Sequence, residues 1–192
     1  MSRYRTRRGV LSIIIFVLSV GYIFATQSGW LKDTAKTAQQ NDPGLYAIEH
    51  FVDGDTIAVN MNGSIETVRM IGIDTPETHR PNTPVQCYGP EAAAFTKQLI
   101  GQNKVRLQAD SLDTNRDRYG RLLRYVYLPD GRMVETELLT HGYAFAYTQF
   151  PFEKTDQFSE YAQAASDAKK GLWGACQVTT ETNGRQQTNN AN

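Results

Sequence analysis

Two short acidic segments carry the residues best suited to chemistry. Asp53-Gly54-Asp55-Thr56 sets a carboxylate where a strand begins, and Asp74-Thr75-Pro76-Glu77 sets two more where a neighbouring strand ends. The ends of adjacent strands can converge, so Asp55, Asp74 and Glu77 can share one site. With no His or Cys in either segment, they are hard oxygen donors suited to Ca2+ or Mg2+, with backbone carbonyls and water completing the shell. Taken alone, both segments also read as ordinary turns. Arg69 shifts that balance. In residues 65–73 it shares a period-2 face with Ile65, Thr67, Ile71 and Ile73, where a solvated cation is out of place, so it is expected to point into a cleft. Arg121 repeats the pattern, following Tyr119-Gly120 on the face of Leu123, Tyr125 and Tyr127. Two guanidinium forks beside a divalent cation form a phosphate clamp that can oppose charge building on a pentacoordinate phosphorus. The alternative for either arginine is a structural ion pair with one of the same carboxylates.

Residues so far apart in sequence need a scaffold to bring them together. Residues 46–52 and 56–61 flank Asp53-Gly54, and residues 65–73 follow Asn62-Gly63, a strong hairpin signal. Residues 105–109 and 122–128 give two more strands, the second closed by Pro129-Asp130-Gly131 ahead of Met133-Val134. Residues 90–100 open with Pro-Glu and place Ala92, Phe95 and Leu99 at helical spacing; residues 135–140 form a second helix stopped by Gly142. In a third helix Phe158, Tyr161, Ala165, Ala168 and Leu172 repeat three and four apart, with Lys169-Lys170-Gly171 as its end, and this face is core. The expected fold is α+β: a five-stranded OB-fold Greek-key β-barrel with three α-helices, preceded by an N-terminal hydrophobic helix.

A chain of 192 residues, 40% of them hydrophobic, builds one core with appendages. Arg3, Arg5, Arg7 and Arg8 precede an uncharged run from Gly9 to Ala25, so residues 1–26 read as a signal peptide or a transmembrane anchor, with the arginines held on the cytoplasmic side. No polar face interrupts the run, which argues against a buried core helix. Residues 27–44 read as a linker, 45–178 as the folded domain and 179–192 as a disordered tail. The domain is expected outside the cytoplasm, membrane-anchored, or secreted or periplasmic after cleavage, and as a monomer. In that setting Cys87 and Cys176 point to a disulfide, the alternative being two unrelated buried thiols; so few cysteines, so far apart, do not read as a zinc site. Taking the four N-terminal arginines from the 20 basic residues leaves 16 against 20 acidic ones. Bulk attraction for a polyanion is therefore excluded, and any grip on nucleic acid must come from a few placed cations.

These residues together resemble the thermonuclease family, the secreted staphylococcal-nuclease-like enzymes. The resemblance runs from about Tyr46 to Trp173. It rests on Asp53-Gly54-Asp55-Thr56, Arg69, Asp74-Thr75-Pro76-Glu77-Thr78, Tyr88-Gly89-Pro90-Glu91-Ala92, Asp117-Arg118-Tyr119-Gly120-Arg121, Met133-Val134 and Ala146-Tyr147. It implies an enzyme cleaving DNA and RNA with Ca2+ at the P–O5′ bond, leaving 3′-phosphate ends. By the same resemblance Asp55 and Asp74 bind the metal through side chains and Thr75 through its carbonyl. Glu77 would orient or deprotonate the attacking water, Arg69 and Arg121 would hold the scissile phosphate, and Tyr119, Tyr147 and Arg118 would contact substrate. The chain departs from the family in its loop from His79 to Cys87, which has one Arg and added prolines where lysines are usual, and in Arg118, where a lysine is expected. Such a mechanism needs none of His50, His79 and His141. Two other functions compete: a catalytically silent OB-fold module binding nucleic acid at the cell surface, and an anchored module whose carboxylates hold calcium only for stability. The retention of Arg69, Glu77 and Arg121 favours the enzyme.

Overall fold

The computed structural model describes residues 44–78 and 84–191. The expected N-terminal hydrophobic helix and the linker up to Pro43 lie outside the described residues, as do His79 and Arg80. Among the described residues no helix is long and apolar enough to cross a membrane.

Five strands close into a barrel in the order β1-β2-β3-β6-β5. They are β1 (Leu45–Phe51), β2 (Thr56–Met61), β3 (Ser64–Met70), β5 (Val105–Gln108) and β6 (Leu122–Tyr127). The β2–β3 connection is the expected hairpin. Asn62 and Gly63 take φ of 56° and 95°, the two positive values that a primed turn requires, and Gly63 N donates to Asn60 Oδ1 at 2.7 Å. All barrel pairings are antiparallel except β3 with β6, where Val68 sits opposite Leu122. That parallel crossover requires the long connection between them, which holds β5 and the helix α1 (Gly89–Ile100). The helices α2 (Val134–Thr140) and α3 (Thr155–Asp167) follow the barrel strands. Together barrel and helices bury Ile57, Val59, Val68, Met70, Tyr125, Val126, Leu138, Leu139 and Phe158 in one core. Each such aliphatic side chain contributes roughly 1.5–3 kcal/mol on burial. A charge-bearing group reaches into it: Glu135, fully buried, accepts the Val126 N–H on both carboxylate oxygens at 3.0 and 3.2 Å. Burial pushes its pKa up to about 8, against the pull of those amides.

Three local expectations are corrected. Residues 65–73 are not one strand: β3 ends at Met70, Gly72 turns with φ 72°, and β4 (Ile73–Asp74) pairs instead with β7 (Phe145–Ala146). A Cβ at Gly72 would sit 2.6 Å from the Phe152 ring, so the turn tolerates only glycine. The third helix does not continue to Gly171. It ends at Asp167, Lys169 adopts φ 49°, and Leu172 is buried from a separate one-turn helix, α4 (Leu172–Ala175).

The third correction concerns the expected tail, residues 179–192, whose described part, up to residue 191, is not disordered. A hairpin of β8 (Val178–Thr180) and β9 (Gln186–Thr188) occupies most of them. Cys87 N donates to Asn189 O at 2.7 Å, Thr188 Oγ1 to Cys87 O at 2.8 Å, and Ala191 N to Val85 O at 2.8 Å. Cys87 and Cys176 are disulfide-bonded, with their Cα atoms 5.9 Å apart. The hairpin is thus held by backbone pairing beside a covalent staple, and no apolar periodicity is required of its sequence.

Candidate active site

The loop between β1 and β2 is built to bring Asp55 against the end of β4. Gly54 makes this approach possible, since a Cβ there would lie 2.8 Å from both Cγ2 and Oγ1 of Thr75. Thr96 Oγ1, from α1, pins the loop by donating to Gly54 O at 2.6 Å. Asp55 Oδ2 then accepts the Thr75 N–H at 2.9 Å, and Thr56 Oγ1 donates to Asp55 Oδ1 at 2.9 Å. Asp55, Asp74 and Thr75 are all buried.

Arg69 links the two carboxylates. Its Nη1 lies 2.9 Å from Asp55 Oδ2 and also donates to Ile73 O at 2.9 Å; its Nη2 reaches Asp74 Oδ1 at 3.0 Å. Burial acts to lower the pKa of this guanidinium, but the charges of Asp55, Asp74 and Asp53 outweigh it and hold Arg69 fully charged. The route by which it arrives differs from the expectation. The core face of β3 carries Val68 and Met70, whereas Ile65, two pairs along from Arg69, is 49% exposed. Arg69 therefore reaches the cleft from the outer face of the barrel wall.

Across the cleft, the loop before β6 presents Arg118, Tyr119 and Arg121. Arg121 Nε and Nη2 both lie 2.7 Å from Asp117 Oδ2, while Asp117 Oδ1 accepts the backbone N–H groups of Tyr119 and Arg121. Tyr119 is 68% exposed; Arg118 donates to its hydroxyl at 2.7 Å and lies over its ring, 4.8 Å from the centroid. Tyr147 donates its hydroxyl to Gln149 Oε1 at 2.9 Å. Glu77 accepts the Thr78 N–H, and its own N–H donates to Gln86 Oε1 at 2.8 Å. One cleft of about 900 Å³ is lined by Asp55, Arg69, Asp74, Thr75, Glu77, Arg118, Tyr119, Arg121 and Tyr147. Cys87 and Cys176 stand apart from it, in their disulfide.

Three further residues belong to this cleft. Asp53 lines it and accepts the Asp55 N–H at 3.3 Å; burial, and next the charge of Asp55, push its pKa up to about 7. Its Asp-x-Asp spacing was legible in the sequence. Asp117, which aims Arg121, carried the weaker signal of an acid four residues before an Arg. Arg185 comes from the β8–β9 turn, and its Nε and Nη2 both contact Asp74 Oδ2 at 2.8 Å. The only hint of it was the Asn183-Gly184 turn dipeptide in a stretch without apolar pattern.

The donor set suits a hard divalent cation. Asp53, Asp55 and Asp74 bring up to three negative charges to a desolvated floor, where burial first and the charge of Asp55 next raise the Asp53 pKa. Among the described residues no three His, Cys, Asp or Glu side chains are grouped so as to cage a metal on their own. A cation here would thus complete its shell with carbonyl oxygen and water.

Comparison with known proteins places the chain among nucleases. A family model described as Staphylococcal nuclease homologue matches residues 67–175. The thermonuclease of Staphylococcus hyicus is 40% identical over 166 residues, 86% of this chain and 95% of the relative. That of Staphylococcus intermedius is 37% identical over 174 residues, 90% of this chain and 99% of the relative. The SPbeta prophage-derived endonuclease YokF of Bacillus subtilis is 46% identical over 128 residues, 66% of this chain and 43% of the relative. The chain belongs to the staphylococcal nuclease family. The span matched by the family model contains Arg69, Asp74, Glu77, Arg121 and Tyr147, and it ends before the hairpin that carries Arg185.

Proposed function

We propose that this chain hydrolyses the phosphodiester bonds of DNA and RNA with the help of Ca2+, breaking the P–O5′ bond and leaving 3′-phosphate ends. That it is a nuclease, a hydrolase of phosphodiester bonds, follows from its family; the metal, the bond cut and the residue roles are the proposal. The observation that carries it is the convergence of three carboxylates and two arginines, from segments up to 66 residues apart, on one cleft.

In this reading Asp55 and Asp74 hold the cation with the Thr75 carbonyl, and the cation supplies charge stabilisation at the phosphoryl oxygens. Glu77 takes the proton of the attacking water or fixes its orientation. As the water oxygen bonds to phosphorus, the P–O5′ bond breaks and the 5′ oxygen leaves, taking a proton from solvent water, while the proton lost by the attacking water returns to solvent through Glu77 or directly. Arg69 and Arg121 donate to the non-bridging oxygens, where negative charge builds up. Tyr119, Tyr147 and Arg118 would contact the neighbouring phosphate and sugar. The arginine-capped apolar N-terminal segment and the disulfide support a site of action outside the cytoplasm, anchored or released.

The test is to incubate the full chain with heat-denatured DNA in Ca2+ or in chelator, alongside Glu77→Ala and Arg121→Ala, and to analyse the product ends. Cleavage should require Ca2+, fall by at least about 100-fold in each variant, and yield 3′-phosphates. Calcium-independent cleavage, or full activity in both variants, would overturn the mechanism.

A further inference from the structure

Asp74 is in demand from two directions. A carboxylate offers about four lone-pair directions. Arg69 Nη2 takes one on Oδ1 at 3.0 Å, while Arg185 Nε and Nη2 converge on Oδ2 at 2.8 Å each. Three of the four are therefore already filled by guanidinium donors. A cation that ligates Asp74 must share Oδ1 with Arg69 or displace Arg185.

The hairpin does not depend on Arg185 for its place. Its ladder, its backbone bonds to Val85 and Cys87 and the adjoining Cys87–Cys176 disulfide hold it. Gln149 Nε2 further fixes the turn by donating to Asn183 O at 3.1 Å. The turn is thus anchored at its base and delivers one cation to the metal-binding face of the cleft. Arg185 retains 24% exposure, enough to withdraw toward solvent without unpacking the barrel.

We propose that Arg185 is a further positioning residue of this site: it competes with the cation for Asp74 and so sets the calcium concentration at which the site fills. This rests on the reading of Asp74 as a cation ligand. The direction follows from charge, because a guanidinium a few ångström away both repels a divalent cation and occupies its ligand. Removing one unit charge at that range should tighten binding about tenfold, even in a near-aqueous dielectric.

The experiment is calorimetric titration of the full chain with CaCl2 alone, comparing wild type, Arg185→Gln and Arg185→Lys, with melting in chelator to show that each variant is folded. Arg185→Gln should bind calcium about tenfold more tightly while still melting cooperatively in chelator, and Arg185→Lys, which keeps the charge, should stay nearer wild type. The calcium concentration giving half-maximal cleavage should shift in parallel. Equal or weaker binding by a folded Arg185→Gln overturns the role of Arg185 while leaving the calcium site intact. If neither wild type nor Arg185→Gln takes up calcium, the calcium reading itself falls, and this inference with it.

Discussion

Arg69 and Arg121 share a cleft but not a burden. Arg69 has a 13% exposed side chain bridging two buried carboxylates and reaching a backbone carbonyl, whereas Arg121 is 29% exposed and leans on Asp117 and the face of the Tyr119 ring. Removing Arg69 leaves Asp55 and Asp74 facing each other without the cation between them, so Arg69→Ala should cost about 3 kcal/mol of stability as well as activity. Arg121→Lys keeps the charge but loses the fork, and should lower kcat about 100-fold while changing stability by less than about 0.5 kcal/mol. Denaturant melts paired with kcat measurements separate the two, and equal stability losses would refute the distinction. Glu135 makes the opposite case, a buried acid outside the site. Its folded pKa, about 8, lies above the ordinary carboxylate value, so the native state binds the extra proton. Stability from this group is complete below about pH 4.5 and is lost as pH rises toward 8. Glu135→Gln still presents an oxygen to the Val126 N–H, and should flatten that decline, melting above wild type at pH 9 and close to it at pH 5.

At the scale of elements, strand pairing and turn chemistry were the most legible features. Asn62-Gly63 encodes its hairpin through two positive φ values, and the alternating burial of β3 follows from it. What was not legible arose from tertiary contacts. The Phe152 ring against Gly72 breaks what reads as one strand, and α3 stops early because Lys169 turns left-handed before Gly171. The carboxylates and arginines of the site could be picked out by type and spacing, but Arg185 could not, since its element is built from backbone bonds rather than a hydrophobic stripe. The β1–β2 loop gives the element-scale prediction. Because Gly54 has an ordinary φ, Gly54→Ala costs little in backbone strain; its Cβ instead displaces the Thr75 side chain, 2.8 Å away. We expect Gly54→Ala to stay folded, with a loss of about 1–3 kcal/mol, and to lose calcium affinity more than tenfold. Unaltered calcium uptake would show that Thr75 tolerates the shift.

For the whole molecule the governing fact is the lack of any excess of positive charge. Beyond the four N-terminal arginines the chain carries 16 basic residues against 20 acidic, and in the cleft Arg69 and Arg121 are each already paired with carboxylates. A protein that held single-stranded DNA by a broad basic surface would release many counterions and bind with a steep dependence on salt. Of the five arginines that line the cleft among the described residues, Arg116 is taken up by Glu66 and Arg185 by Asp74, so in the proposed mechanism Arg69, Arg121 and Arg118 meet substrate and the number of neutralised phosphates should be about two or three. With about 0.7 counterions released per contact on a single strand, log Kobs should fall against log salt with a slope between about −1.4 and −2.1. Fluorescence anisotropy of a labelled oligonucleotide on Glu77→Ala, in calcium and without turnover, measures this slope directly. Arg118→Gln should reduce it by about 0.7 while leaving kcat nearly intact, because that residue touches Tyr119 rather than the carboxylate floor. A slope steeper than about −4 would mean that substrate is gripped by a surface outside the cleft, and the two arginines could then no longer be its main holders.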